Sequence, residues 1–232
     1  MPTQSFTMAL MVSYDPKDRY AVQRERMFRQ DLKGRDITDP RVLKVMMEIP
    51  REAFISPQYQ PNAYDDNPLP IGMGQTISQP YIVALMTQCL KLAGTETTLE
   101  IGTGCGYQTA VLAKLCKRVY TIERFGELTA GAQTILASLG IENVEYAVGD
   151  GSCGWPGEVI QFDRILITAA VPAPPQPLVN QLKNGGLLVA PVGEQFYQTL
   201  MLYKKENDRL TPMEICGCRF VKLVGRYGFH SD

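Results

Sequence analysis

The sequence predicts an α/β fold: a doubly wound, mainly parallel sheet of seven strands, preceded by a helical N-terminal extension. Three observations predict it. A short strand, Thr97 to Ile101, runs straight into Gly102, Gly104 and Gly106, and a helical pattern opens at Tyr107. Strand and helix patterns then alternate as far as residue 192, which is the signature of parallel strands joined by crossover helices. Two further strands at hairpin-like spacing close the chain and add an antiparallel edge. With 232 residues, 45% of them apolar, the chain can bury one large core without staples.

The elements follow in order. Asp15-Pro16 reads as an N-cap with proline at the first helical position, opening a charged helix that runs to about Leu32 and is broken at Gly34. Asp39-Pro40 repeats the signal for a helix carrying Val42, Leu43, Val45, Met46 and Met47, which stops before Pro50. Residues 50–80 are rich in Pro, Gly, Asn and Asp, lack periodicity, and read as a long structured connection, a kind of segment that is often functional. A helix from Pro80 carries Ile82, Leu85, Met86 and Leu90 at spacings of three and four. Helices at 107–116, 126–139 and 176–183 alternate with strands at 118–123, 143–148, 162–168 and 187–192. Gly140 suits the stop of the second of these helices, and Asn184-Gly185-Gly186 that of the third. The last two strands are expected near 199–205 and 213–224. Pro172 to Pro177 form a rigid turn, and Trp155 reads by default as loop packing.

Composition excludes several functions. The net charge is −1, with no basic run, which argues against sequence-independent nucleic-acid binding. Met1 to Tyr14 lacks the charged and apolar regions of a signal peptide, and no apolar run approaches the ~18 residues of a membrane span. Six cysteines without a secretion signal point to free thiols in the cytoplasm. Cys216 and Cys218 should share one face of a strand as core packing, and no metal site is expected. The single histidine, His230, lies three residues from the C-terminus in an expected frayed tail, which disfavours hydrolases that need an imidazole base.

Three successive strand ends carry polar chemistry. The glycines at 102, 104 and 106 allow close backbone approach to a ligand, and in open α/β sheets ligands lie at the carboxyl ends of strands. The alternate spacing, with Tyr107 at the third fingerprint position, departs from the dinucleotide pattern G-x-G-x-x-G. Glu123, at the next strand end, can accept from both hydroxyls of a ribose. Asp150, followed by Gly151 at the third, could accept from an adenine amino group. This ordered set resembles the S-adenosylmethionine pocket of class I methyltransferases. Glu100, a carboxylate inside a buried strand, needs partners; it either fixes the glycine loop through backbone N–H groups or approaches the cofactor's amino group.

The segment Leu69-Pro-Ile-Gly-Met-Gly-Gln-Thr-Ile-Ser-Gln-Pro-Tyr81 narrows the reading further. Together with Ile49–Phe54, Leu99–Thr109, Thr168–Pro172 and Arg219–Val221, it resembles the protein-L-isoaspartate O-methyltransferase family over residues 39–225. Cys105 stands where many relatives carry serine, and Lys222 where proline is common. The resemblance implies a Rossmann-like class I fold: an N-terminal extension over 1–38, a helical active-site cap over 39–96, a core over 97–225 and a tail over 226–232. It implies methyl transfer from S-adenosyl-L-methionine, with S-adenosyl-L-homocysteine as product, to the free carboxylate of L-isoaspartyl residues in damaged proteins, initiating repair through a succinimide; certain D-aspartyl sites are accepted within the family. Gln75, Thr76, Ile77 and Ser78 would line and close over the cofactor, with Ser78 as the active-site residue, Glu123 on the ribose and Asp150 at the adenine end.

The chemistry agrees with that implication. A carboxylate with a pKa near ~4 is already ionised at neutral pH and needs alignment rather than a base. Ser78, with backbone N–H groups near Ala169 and Ala170, could supply the alignment. From spacing alone Ser78 reads more readily as a helix cap, a role compatible with the other, and only the family resemblance tips the balance. No Asn/Asp-Pro-Pro-Tyr/Phe block follows strand 162–168 and no Pro-Cys pair exists, which disfavours nucleic-acid base methylation. A class I enzyme acting on a small-molecule carboxylate stays open as the alternative. The expected protein is a cytoplasmic monomer acting on damaged proteins and peptides, with neither nucleic acid nor membrane as partner.

Overall fold

The computed structural model describes residues 18–157, 160–194 and 196–230. Seven strands form one sheet in the order β5-β4-β3-β6-β7-β8-β9. These strands are β3 (Thr97–Ile101), β4 (Arg118–Glu123), β5 (Val144–Val148), β6 (Phe162–Ile167), β7 (Leu182–Gly193), β8 (Gln198–Glu206) and β9 (Arg209–Cys218). β3 pairs in parallel with both β4 and β6, and β4–β5 and β6–β7 are parallel too. β8 and β9 run antiparallel at the edge, as the hairpin spacing predicts. The chain moves outward from β3 to β5, then returns to place β6 on the other side of β3. That reversal opens a crevice at the carboxyl ends of β3 and β6, where such sheets bind ligands.

Both faces of the sheet are covered. Helices α4 (Tyr107–Ala113) and α5 (Gly126–Ser138) pack one face together with α2 (Pro40–Glu48) and α3 (Pro80–Cys89). α6 (Gln176–Gln181) contributes Leu178 to the core of the other face, beside Leu99, Ile101, Ile165 and Leu188. The alternation of β3 sends Leu99 and Ile101 to that second core and turns Thr98 and Glu100 toward α4.

The N-terminal helix is integral to the fold. α1 (Ala21–Arg26) widens into a π-helical turn over Met27–Leu32, in which Lys33 N–H donates to Phe28 five residues back. Tyr20, Met27, Leu32 and Ile37 are buried in the same core as α2 and α3. The Arg24 guanidinium reaches Tyr64 Oη at 2.9 Å and Asp18 at 2.9 Å. The expected boundary at residue 38 therefore does not separate an appendage from a domain. The Asp15-Pro16 cap lies outside the described residues, whereas Asp39 does cap α2 by accepting from Arg41 N–H at 2.9 Å.

Other expectations gain detail or need correction. Residues 50–80 hold two 3₁₀ turns (Arg51–Phe54 and Pro57–Asn62) and a small hairpin, β1 (Leu69–Gly72) with β2 (Gln75–Ile77). The hairpin bends through Gly72, Met73 and Gly74, all at positive φ. Asn184-Gly185-Gly186 does not end a helix: α6 stops at Gln181, and these residues form an irregular stretch inside β7, whose pairing jumps from Leu182 to Leu187. β9 ends at Cys218 rather than 224, and the chain beyond it leaves the sheet as a strap. That strap is held through Phe229, by bonds from Leu223 N–H to Ala170 O and from Phe229 N–H to Leu223 O, both 2.8 Å. The expected frayed tail is therefore largely ordered, although His230 itself is exposed. No helix among the described residues is long and apolar enough to cross a membrane.

Candidate functional site

A cleft lies above the carboxyl ends of β3, β4 and β6. Its floor is the glycine loop. Gly102 adopts φ +96°, and a Cβ built there would lie 2.3 Å from Thr168 Oγ1, so another residue would be strained in its backbone and would have to push the Thr168 hydroxyl aside. The Thr168 hydroxyl lies 2.9 Å from Ile101 O and 2.7 Å from Gly102 O, which ties the two strand ends together. Glu123 is buried at the tip of β4. It accepts from Gly104 N–H at 2.9 Å through Oε2 and from Phe125 N–H at 3.1 Å through Oε1. Each oxygen retains a further lone pair for a ligand hydroxyl.

Nine predicted site residues line this cleft: Gln75, Thr76, Ile77, Ser78, Gly102, Gly104, Glu123, Gly151 and Ala169. The hairpin β1–β2 places the first three over one rim, beside Ile71. Ser78 follows directly, before α3. The cap reading of Ser78 fails, because Gln79 occupies the cap position without a side-chain capping bond and Asp66 instead accepts from Tyr81 N–H at 2.9 Å. The Ser78 hydroxyl makes no hydrogen bond among the described residues. Its carbonyl accepts from Arg51 Nη2 at 2.7 Å.

Four predicted residues do not line it. Gly106 turns toward α5: at φ +91°, an added Cβ would meet Leu136 Cδ1 at 2.6 Å, so this glycine permits helix packing rather than ligand approach. Ala170 N–H is committed to Val221 O at 2.7 Å and cannot orient a substrate. Asp150 is also committed. Its Oδ1 accepts from Ser152 N–H (2.9 Å) and Ser152 Oγ (2.6 Å), and its Oδ2 from Arg226 N–H (2.7 Å) and the Cys153 thiol (3.4 Å). Three strong donors and one long thiol contact thus engage both oxygens, and Asp150 does not line the cleft. Partial burial alone would raise the Asp150 pKa, but the donated bonds outweigh it and hold the carboxyl below its ordinary range.

Glu100 meets neither expectation. It is fully buried and faces α4, where Oε2 accepts from Thr109 Oγ1 (2.5 Å) and Thr121 Oγ1 (2.7 Å); Oε1 has no partner among the described residues. Thr103 and Thr121 hydroxyls lie 2.6 Å apart and extend the chain of bonds to the glycine loop. Desolvation pushes the carboxyl up to about 8 against the two threonine bonds. Trp155 packs as expected: its ring meets Tyr120 edge-on at 4.9 Å, and its backbone is bracketed by both ends of the Gln181 amide.

Val221, Lys222, Leu223 and Val224, on the strap, form a wall that the sequence reading placed in a strand. Cys105, Tyr107 and Thr168 also line the cleft. Thr168 was legible as a strand-end residue, whereas no periodicity marks the strap. A second groove opens beside the cleft, lined among others by Pro68, Phe196, Arg219 and Phe220, and it shares Thr76, Ser78, Thr168, Val221 and Lys222 with the first. Ser78 therefore stands where the two spaces meet.

A family model described as protein-L-isoaspartate(D-aspartate) O-methyltransferase matches residues 22–228. The chain belongs to that family. The protein-L-isoaspartate O-methyltransferase of Trichlorobacter lovleyi is 50% identical over 223 residues, covering 96% of this chain and 100% of its own. The enzyme of that name from Syntrophus aciditrophicus is 48% identical, over 91% of this chain and 98% of its own. A solved structure described as a protein-L-isoaspartate O-methyltransferase superposes with a TM-score of 0.79 at 31% identity, over 88% of this chain and 67% of that one. A candidate enzyme of the family from Plasmodium falciparum, in complex with S-adenosyl-L-homocysteine, shares the fold with a TM-score of 0.75 at 24% identity, over 88% of this chain and 98% of its own. Membership carries the class I methyltransferase fold and sets the frame for the cleft: two adjoining spaces, with Ser78 among the residues that line both, suit a family that joins a cofactor to a carboxylate.

Proposed function

We propose that this chain transfers a methyl group from S-adenosyl-L-methionine to the free carboxylate of L-isoaspartyl residues in damaged proteins and peptides, initiating their repair through a succinimide. The observation that carries the reading is the position of Ser78, at the junction of a cleft over the glycine loop and a groove open to solvent. The cleft residues fit the cofactor: a strand-end carboxylate with spare lone pairs at Glu123, and glycines that leave the backbone of 102–104 open to the cleft. When bound, the cofactor supplies an electrophilic methyl on a sulfonium sulfur.

The protein's own part is placement. Glu123 holds the ribose end, and the hairpin residues Gln75, Thr76 and Ile77 cover the cofactor and exclude water. Ser78 donates one neutral hydrogen bond to the substrate carboxylate, with Ala169 beside it. That bond must stay weak, since strong donation would stabilise the ground-state anion and blunt its attack. A serine suits this better than a cation. No base is required, because the carboxylate is ionised at neutral pH.

Asp150 serves the strap instead of the adenine. The reading carries with it a cytoplasmic monomer without nucleic-acid or membrane partners, supported by a net charge of −1 and six free thiols. The test is transfer of labelled methyl to an isoaspartyl peptide, with its aspartyl twin and small carboxylic acids as controls. Label in the isoaspartyl peptide alone is expected. Label in the small acids alone would overturn the reading.

A further inference from the structure

Arg51 is fully buried, and no carboxylate pairs with it among the described residues. Its neighbour Glu52 turns away, toward Arg24 at 3.6 Å and Tyr64 Oη at 2.5 Å. A guanidinium cannot shed its charge in a protein, so burying one without a counterion costs several kcal/mol. The structure offsets this with loop carbonyls. Nε donates to Ala63 O and Nη2 to Ser78 O, both at 2.7 Å, and the guanidinium lies 4.8 Å from the centroid of the Tyr107 ring, which lines the cleft. Nη1 has no partner among the described residues. One side chain thus clamps three segments: the turn after Pro50, the loop at Ala63 and the backbone of Ser78.

The Ser78 hydroxyl has no hydrogen-bonding partner of its own among the described residues. Its direction is set by the Ser78 backbone, and the side chain that holds this backbone is Arg51. We propose that Arg51 is a positioning residue for methyl transfer, acting through the Ser78 carbonyl to aim the Ser78 hydroxyl into the junction of cleft and groove. A buried cation kept for its bonds to two carbonyls is a costly way to stabilise a loop. It is a direct way to hold one peptide plane fixed, and misplacement by ~1 Å can cost on the order of 100-fold in rate. The inference rests on the role proposed for Ser78.

The test uses Arg51→Met, Arg51→Lys and Ser78→Ala, singly and combined. Turnover is measured on an isoaspartyl peptide and normalised to the fraction of protein that binds S-adenosylhomocysteine, so that loss of folded protein drops out. Arg51→Met should lower kcat at least ~10-fold with S-adenosylhomocysteine affinity within ~3-fold, and Arg51→Lys, which keeps the charge but can reach only one carbonyl well, should fall between. In the Ser78→Ala background the same Arg51→Met change should cost less than ~2-fold, because the group it positions is gone. Should Arg51→Met not fold, Arg51→Lys in both backgrounds carries the same comparison. Unchanged kcat per binding site, or full additivity with Ser78→Ala, overturns the inference. Wild-type protein that fails to methylate the isoaspartyl peptide would instead overturn the proposed function, and a silent Ser78→Ala would overturn the serine's role and this inference with it.

Discussion

At the scale of single residues, Ser78 and Glu100 show opposite relations between burial and chemistry. Ser78 is partly buried where two spaces adjoin, and its hydroxyl has no competing partner among the described residues. Ser78→Ala should therefore cut kcat by about 10–100-fold, the cost of one orienting donor, while calorimetry shows S-adenosylhomocysteine affinity nearly unchanged. Equal losses in both would mean the serine serves cofactor binding instead. Glu100 is sealed between β3 and α4, and desolvation pushes it up to about 8. In the unfolded chain it titrates near ~4.3, so between ~4.3 and about 8 the folded state holds a proton that the unfolded state has released. Stability from this group is fully present below ~4.3 and declines as pH rises, levelling off above about 8. Glu100→Gln should remove that decline, raising stability at pH 8.5 relative to wild type by on the order of 2–4 kcal/mol. Urea melts at pH 5, 7 and 8.5 would check it; an unchanged slope would mean that another group carries it. The sequence exposed Glu100 as an anomaly, a carboxylate in a parallel strand, but not its partners. Those depend on Thr109 and Thr121, brought beside it by α4 and β4.

At the scale of elements, the strap beyond β9 is where sequence and structure diverge most. The sequence reading places residues 219–224 in a strand, yet among the described residues one isolated bridge joins the strap to Ala170 and another closes within it. Its pairing is decided by Asp150 and Ser152, some 75 residues earlier, which accept from the N–H groups of Arg226 and Tyr227. No local pattern encodes such a contact. The same contact explains why Asp150 reads as a ligand group in sequence and acts as a latch in structure. Gly225 completes the latch: a Cβ there would lie 2.0 Å from Asp150 Oδ1 and 2.7 Å from Ser152 Oγ. Gly225→Ala should therefore dislodge the strap and loosen the wall formed by Val221–Val224. Losing a contact worth ~1–1.5 kcal/mol predicts about tenfold weaker S-adenosylhomocysteine binding. Calorimetry on the variant checks this, with circular dichroism to show that the sheet persists. Undiminished affinity would mean that the strap is not part of the cofactor wall.

At the scale of the whole molecule, the doubly wound sheet was legible because its signals are local and repeated. β3 and β5 run into Gly102 and Gly149, β4 ends in Glu123, and the helices between them show apolar spacing. What was not legible came from long-range contacts: the hairpin at 69–77, hidden in a stretch without periodicity, the irregular stretch in β7, and the docking of α1 through Tyr20 and Met27. The assembled site has a consequence that no single element carries. Histidine occurs once in 232 residues, at the exposed position 230, and every residue proposed to act on the substrate is uncharged. The reacting anion comes with the substrate, so the pH profile should belong to the substrate. We expect kcat/KM on an isoaspartyl peptide to be level between pH ~5.5 and ~7.5 and to fall only near ~4, where the substrate carboxylate takes up its proton. His230→Gln should leave the profile unchanged. An acid limb that disappears in His230→Gln would show that the histidine supplies a base, and placement alone would then not account for the reaction.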